Sequence, residues 1–166
     1  MRYLMLVFVL ISTGCAERQA QVAVQSSLTI LATGVAQADE EVRDRISDAG
    51  NVARTKVVAE RQGSNLEQML SFYDQEMQPW TTAVERLEEV RAILQLGQVS
   101  VNMWIATGDM GDGWGRFCNV AAEQFELMFA AIRDVAEDSI PPELTNAGSI
   151  VGTVCRMAEG YLGRSE

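Results

Sequence analysis

Three groups of residues in this chain have types and spacings that chemistry can use. The first is an aspartate pair, Asp109 and Asp112, in the run Gly108-Asp109-Met110-Gly111-Asp112-Gly113-Trp114-Gly115. Hard cations such as calcium take at least six oxygen ligands, and the EF-hand loop supplies them on a D-x-D-x-D-G frame. That frame is missing here, so Asp109 and Asp112 form a candidate metal pair with too few ligands to close a shell. The competing reading is an acidic interhelix loop that presents Trp114. A phosphate cradle is a weaker reading still, because no P-loop Lys or Ser/Thr follows the glycines and the loop is acidic. The second group is the adjacent acidic pairs Glu40/Glu41, Glu88/Glu89 and Glu137/Asp138. Acid–base catalysis needs two carboxyls in unlike environments, facing each other across a substrate. Neighbours on one helix point about 100° apart, so these pairs read as solvated faces. The third group is the cysteines, Cys15, Cys118 and Cys155.

Cys15 follows a short positive start, Met1-Arg2, a nine-residue apolar run from Tyr3 to Ile11, and the small residues Ser12-Thr13-Gly14. This is the layout of a secretory signal, and the run is too short to span a bilayer, which takes about 20 residues. Ile11-Ser12-Thr13-Gly14-Cys15 resembles the lipobox of bacterial lipoproteins, with Ser12 standing where that class favours leucine. The resemblance implies a diacylglyceryl group on the Cys15 thiol, cleavage before it, and acylation of the new amine. Two or more chains are what stable anchoring requires. It also implies a membrane-bound, extracytoplasmic protein. Ala16 stands where an Asp would retain an enterobacterial lipoprotein in the inner membrane, so the periplasmic face of the outer membrane is expected in a Gram-negative host. The alternatives are an ordinary secretory signal cleaved nearby, or a buried apolar helix of a cytosolic protein. The expected layout is a cleaved signal peptide at 1–14, a lipidated tether at 15–27 and a single helical domain at 28–166.

With Cys15 lipidated, Cys118 and Cys155 remain, an even number in an oxidising compartment. A disulfide between them is one reading, and two buried thiols acting as small apolar residues is the other. Neither belongs to a C-x-x-C motif.

These residues must be positioned by helices. Leu28, Leu31, Val35, Ala38, Val42, Ile46, Ala49, Ala53 and Val57 recur at steps of three and four, the signature of one helical face. Glu41 and Arg45, like Asp39 and Arg43, are placed for i,i+4 ion pairs. Gly34 and Gly50 mark close helix contacts or a bend. Gly63 ends this helix, and Ser64 to Glu67 reads as a capping box. A second stripe runs through Leu66, Leu70, Tyr73, Met77, Trp80, Val84, Leu87, Val90 and Leu94 to Val101 and Ile105, with a kink or break expected at Pro79. Residues 98–106 have strand propensity, but no partner strand is in sight. A third stripe contains Phe117, Ala121, Phe125, Met128, Ile132 and Val135. The fourth, begun by Pro142, contains Leu144, Ala147, Ile150 or Val151, Val154, Ala158 and Tyr161. The expected fold is all-α, an antiparallel bundle of about four helices near 22–62, 65–107, 115–137 and 142–162. In such a bundle Cys118 lies about 28 Å before the end of its helix and Cys155 about 20 Å into the next. A bond between them needs the third helix to end early, or the 139–142 link to take up the offset.

Composition narrows the function. The 166 residues amount to one domain, and 48% apolar content excludes wholesale disorder. The 13 Lys+Arg against 23 Asp+Glu give a net charge of −10, which argues against a nucleic-acid partner. There is no histidine. That removes Ser-His-Asp and Cys-His catalysis, His-ligated zinc and the Glu-x-x-His di-iron site. The expectation is a non-enzymatic, membrane-anchored binding or scaffold module with no cofactor, a lipid anchor and a protein partner in the envelope. The alternatives are a carboxylate-dependent cell-wall hydrolase and a helical bundle holding a small ligand or metal.

Overall fold

The computed structural model describes residues 2–61, 63–136 and 140–162, with side chains described from Ala16 to Tyr161 outside the gaps. The described residues form α1 (Arg2–Glu60), α2 (Leu66–Thr107), α3 (Gly111–Ala136), a 3-10 turn (Pro142–Leu144) and α4 (Ala147–Leu162), with no strand among them. Residues 98–106 are helical. The fold is an all-α antiparallel bundle. Each helix packs on its sequence neighbours, and α4 closes against α1.

The periodic stripes become one core. Leu28, Leu31, Val35, Ala38 and Val42 of α1 meet Leu87, Val90, Leu94 and Val101 of α2. Phe117, Phe125, Met128 and Ile132 of α3 and Val151, Val154 and Ala158 of α4 fill the other half. Ala20 and Val24 are buried too. α1 thus begins well before residue 22, where helix was expected, and Ala20 and Val24 in the expected tether belong to the core. Ala20 and Val24 extend the Leu28 stripe backwards at the same four-residue step.

The helix ends follow local chemistry. Gly63, at φ 93°, makes the turn between α1 and α2. The capping box sits one residue later than the sequence suggests. The Asn65 side chain accepts from the Gln68 amide at 2.9 Å, and the Gln68 side chain accepts from the Asn65 amide at 3.3 Å. Asn is as good an N-cap as Ser, and its box needs a Gln or Glu at N3, which Gln68 supplies. Pro79 lies inside α2, and the helix runs through it without a break. At the far end Trp104 is buried and Ile105 is exposed, so the inward stripe ends one position earlier than expected.

Two boundaries are corrected. α3 begins at Gly111, not 115, and Trp114 is buried against Phe117 at 5.1 Å between ring centroids. α4 begins at Ala147, not 142, because Pro142–Leu144 forms a 3-10 turn that drops the fully buried Leu144 onto Gly34. The link before α4 therefore absorbs the offset between Cys118 and Cys155.

Glycine is what lets these helices approach. A Cβ on Gly97 would sit 2.9 Å from the Phe117 ring, and one on Gly113 would sit 2.7 Å from Ser100 Oγ. Gly34 admits Leu144 in the same way. We expect Gly97→Ala to lower stability by about 1–3 kcal/mol, because Phe117 is fully buried and cannot swing clear. Gly115, in the same helix as Phe117, has open space around its Cα. Gly115→Ala should raise stability by up to about 1 kcal/mol through helix propensity alone. Urea unfolding of the two variants checks both signs.

Candidate functional site

Cys15 and the signal segment 1–14 lie outside the residues whose side chains are described. From Ala16 onwards no helix among the described residues is long and apolar enough to cross a membrane. The chain just after Cys15 is tied to the body. The Trp104 indole N–H donates to the Glu17 carboxylate at 3.1 Å, and the Gln21 amide donates to the Trp104 carbonyl at 3.4 Å. Neither partner of Trp104 was apparent from periodicity, because Glu17 and Gln21 are polar residues beside the stripe rather than in it.

Asp109 and Asp112 flank the start of α3. Asp109 Oδ1 accepts from the Gly111 amide at 2.9 Å, an Asx-type cap on the start of α3. Asp112 stands exposed in the first turn of α3, where a carboxylate favours the helix dipole. Among the described residues, no group of three or more Cys, Asp or Glu is placed to hold a metal. The glycine-rich run is a short turn of residues 108–110 followed by helix. It buries Met110 and Trp114 rather than presenting Trp114 to solvent.

Three members of the acidic pairs are in ion pairs with arginine. Glu41 meets Arg45 at 2.8 Å, Glu88 meets Arg43 at 3.0 Å and Glu89 meets Arg86 at 2.6 Å. Glu137 and Asp138 lie outside the described residues. Among the described residues the most enclosed carboxylate is Asp39, which is only 7% exposed. Its two oxygens hold Arg43 of its own helix and Arg91 of α2, each at 2.8 Å. The Arg43 guanidinium, hydrogen-bonded to Asp39 and then to Glu88, is held above its ordinary pKa. The Asp39–Arg43 spacing was legible as an i,i+4 pair. The bridge to Arg91 was not, since nothing local marks which residue of another helix stands opposite.

The sulfurs of Cys118 and Cys155 are 2.12 Å apart, with Cα atoms separated by 5.8 Å, and join α3 to α4. This decides between the two readings of these cysteines in favour of the disulfide. Their separation of 37 residues closes the whole α3–α4 hairpin.

A second feature was missed by the sequence reading. The apolar stripe of α2 was expected to face inward from Leu66 onwards. Instead Leu66 is 72% exposed and Leu70 53% exposed. Val58, beside the end of α1, is 62% exposed. α3 and α4 are too short to follow α1 and α2 to their turn, so this end is a two-helix hairpin. Lys56 and Glu76 bridge it at 2.6 Å, which also raises the Lys56 pKa, and the Arg61 guanidinium lies 4.7 Å over the Phe72 ring. An open groove of about 480 Å³ runs between the two helices here.

Two measurements follow from this geometry. Reduction of the disulfide, or Cys118→Ala with Cys155→Ala, should lower the stability of the folded chain by about 3–4 kcal/mol, the closure entropy of a loop this long. Asp39→Ala should lower it by about 1–2 kcal/mol, since both arginines remain partly solvated, while Glu41→Ala should change it by under about 0.5 kcal/mol. Denaturant midpoints under oxidising conditions compare the two substitutions directly.

No family model matches this chain, and neither a curated protein nor a solved structure matches it.

Proposed function

We propose that the protein is a lipoprotein of the bacterial envelope, anchored through lipid on Cys15, whose helical body is an extracytoplasmic binding or scaffold module. The observation that carries this reading is the run of apolar residues ending in Thr13-Gly14-Cys15. The Cys118–Cys155 disulfide supports it, because such bonds persist in oxidising compartments and are rare in the cytosol. The three cysteines thus divide into one anchor and one crosslink.

The shape of the body supports binding as its mode of action. A helix rises about 1.5 Å per residue, so α1 carries the chain about 65–70 Å from Cys15 to Glu60. Lipid at Cys15 presents the α1–α2 hairpin at the end of the molecule farthest from the bilayer. That end carries exposed Val58, Leu66 and Leu70, while Glu41, Glu88 and Glu89, weighed for catalysis, stand in ion pairs along the shaft. An apolar surface held at a distance from the membrane suits contact with another protein.

The anchor is tested by labelling cells with a clickable fatty acid and comparing the wild-type chain with Cys15→Ala. Label on the wild type and none on the variant is the expected result. Equal label on both ends the lipoprotein reading.

A further inference from the structure

We infer that the α1–α2 hairpin tip is a self-association surface, occupied by the same tip of a second copy of this chain. The argument begins with shape. One groove is lined by Val57 and Val58 of α1 and by Leu66, Met69 and Leu70 of α2. A second, more open groove contains Glu67 and Asp74, and it shares Leu66 and Leu70 with the first. Leu66 and Leu70 are one helical turn apart, so they form an exposed ridge between two hollows. A surface with an apolar ridge beside an apolar groove fits a copy of itself about a two-fold axis, each ridge entering the other's groove.

Charge selects the same occupant. Arg54 lines the groove on one side of the ridge, and Glu67 and Asp74 line the hollow on the other. None of the three is in an ion pair among the described residues, whereas Lys56 and Glu76 beside them are paired within the chain. A two-fold operation carries the basic side of one copy onto the acidic side of the other.

The direction of the axis follows from the anchor, and this step rests on the proposed function. Lipid at Cys15 puts both copies on one surface, so the hairpins run parallel with the axis along them. Residues of one copy then face residues of the other at the same height. The Lys56–Glu76 and Arg43–Glu88 pairs calibrate height between the helices and set Arg54 near Gln78. Asp74 is one turn away, about 5–6 Å and within the reach of an arginine, whereas Glu67 is about 16 Å away. Arg54 therefore meets Asp74 of the second copy. The patch is only about three turns long, which places the dimer at the small, reversible end of specific interfaces.

The test uses the full chain purified in detergent, with sedimentation equilibrium at low salt over about 5–500 µM, the range where a small interface reports. The wild type should dimerise reversibly. Arg54→Asp and Asp74→Arg should each weaken the dimer by about tenfold or more, since each sets like charges face to face in both symmetric contacts. An equimolar mixture of the two variants should re-form a dimer within about threefold of wild-type affinity, because both contacts then pair opposite charges. Leu70→Glu should abolish the dimer with an unchanged helical circular dichroism spectrum. A wild type that stays monomeric over the whole range overturns the inference. So does a mixture no tighter than either variant alone. Rescue of Arg54→Asp by Glu67→Arg in place of Asp74→Arg overturns the parallel arrangement. Cys15→Ala in the same assay should leave the dimer intact, so a failed fatty-acid label and a failed dimer are separate results.

Discussion

The pairing of α1 with α2 is the contact on which the rest of the structure depends. It is long, running from Gln21 against Trp104 at one end to Lys56 against Glu76 at the other. Along the seam, Val24, Leu28, Leu31, Val35, Ala38 and Val42 face Leu87, Val90, Leu94 and Val101 in one cluster. Each aliphatic side chain fully buried there contributes about 1.5–3 kcal/mol. α3 and α4 then have a ready platform. They dock on only part of it, because they are shorter and because a disulfide and a 3-10 turn fix where α4 begins. Asp39 sits on this seam as a polar crosslink. Its carboxylate holds one arginine of each helix, which sets the register of α1 against α2 where apolar contacts alone would allow sliding.

The number of helices and their inward faces could be read from spacing, because a 3.6-residue period is a property of one helix and needs no knowledge of its neighbours. Leu87, Val90, Phe117, Phe125 and Val154 are where that period puts them. Glycine was harder to read. Gly97 and Gly113 lower helix propensity, and Gly111, Gly113 and Gly115 together suggest a loop, yet all lie within helices. For Gly97 and Gly113 the reason is Phe117 and Ser100 on the opposing helix, whose side chains occupy the space a Cβ would need. That space is set by the partner helix, so a single-helix pattern does not contain it. The same holds for the capping box, where Ser64 and Asn65 are both competent caps and only the path of the turn decides between them.

The candidate sites separated along the same line. The Asp39–Arg43 and Glu41–Arg45 pairs were legible because both partners lie on one helix at i,i+4. Cys118 and Cys155 were legible as a pair by counting, and the predicted offset between them turned out to be taken up by the segment around Leu144. The early start of α3 makes Asp109 a cap and leaves Asp112 on the helix surface. The exposed tip was not legible at all. Leu66 and Leu70 continue a stripe that is buried farther along the same helix. Whether such residues are covered depends on how far α3 and α4 reach, which is a tertiary length, not a local pattern.

That mismatch in length gives the molecule two mechanically different ends. Around Trp104 the body has four helices, a crosslink between α3 and α4, and aromatic contacts such as Trp104 with Tyr161 at 6.3 Å. Beyond the reach of α3 and α4, two helices alone cannot enclose a core, and an isolated hairpin gains little from propensity because nucleating helix is costly. Local devices therefore have to hold it. The Asn65–Gln68 box satisfies the first amides of α2, Gly63 makes the reversal without strain, Lys56–Glu76 bridges the shafts and Arg61 covers Phe72. Each contributes on the order of 1 kcal/mol or less. They keep the tip helical while leaving Val58, Leu66 and Leu70 in water, an arrangement that covering by a second tip would relieve. The four-helix cross-section that α3 and α4 provide to the body is the one that pairing of hairpins would supply at the tip.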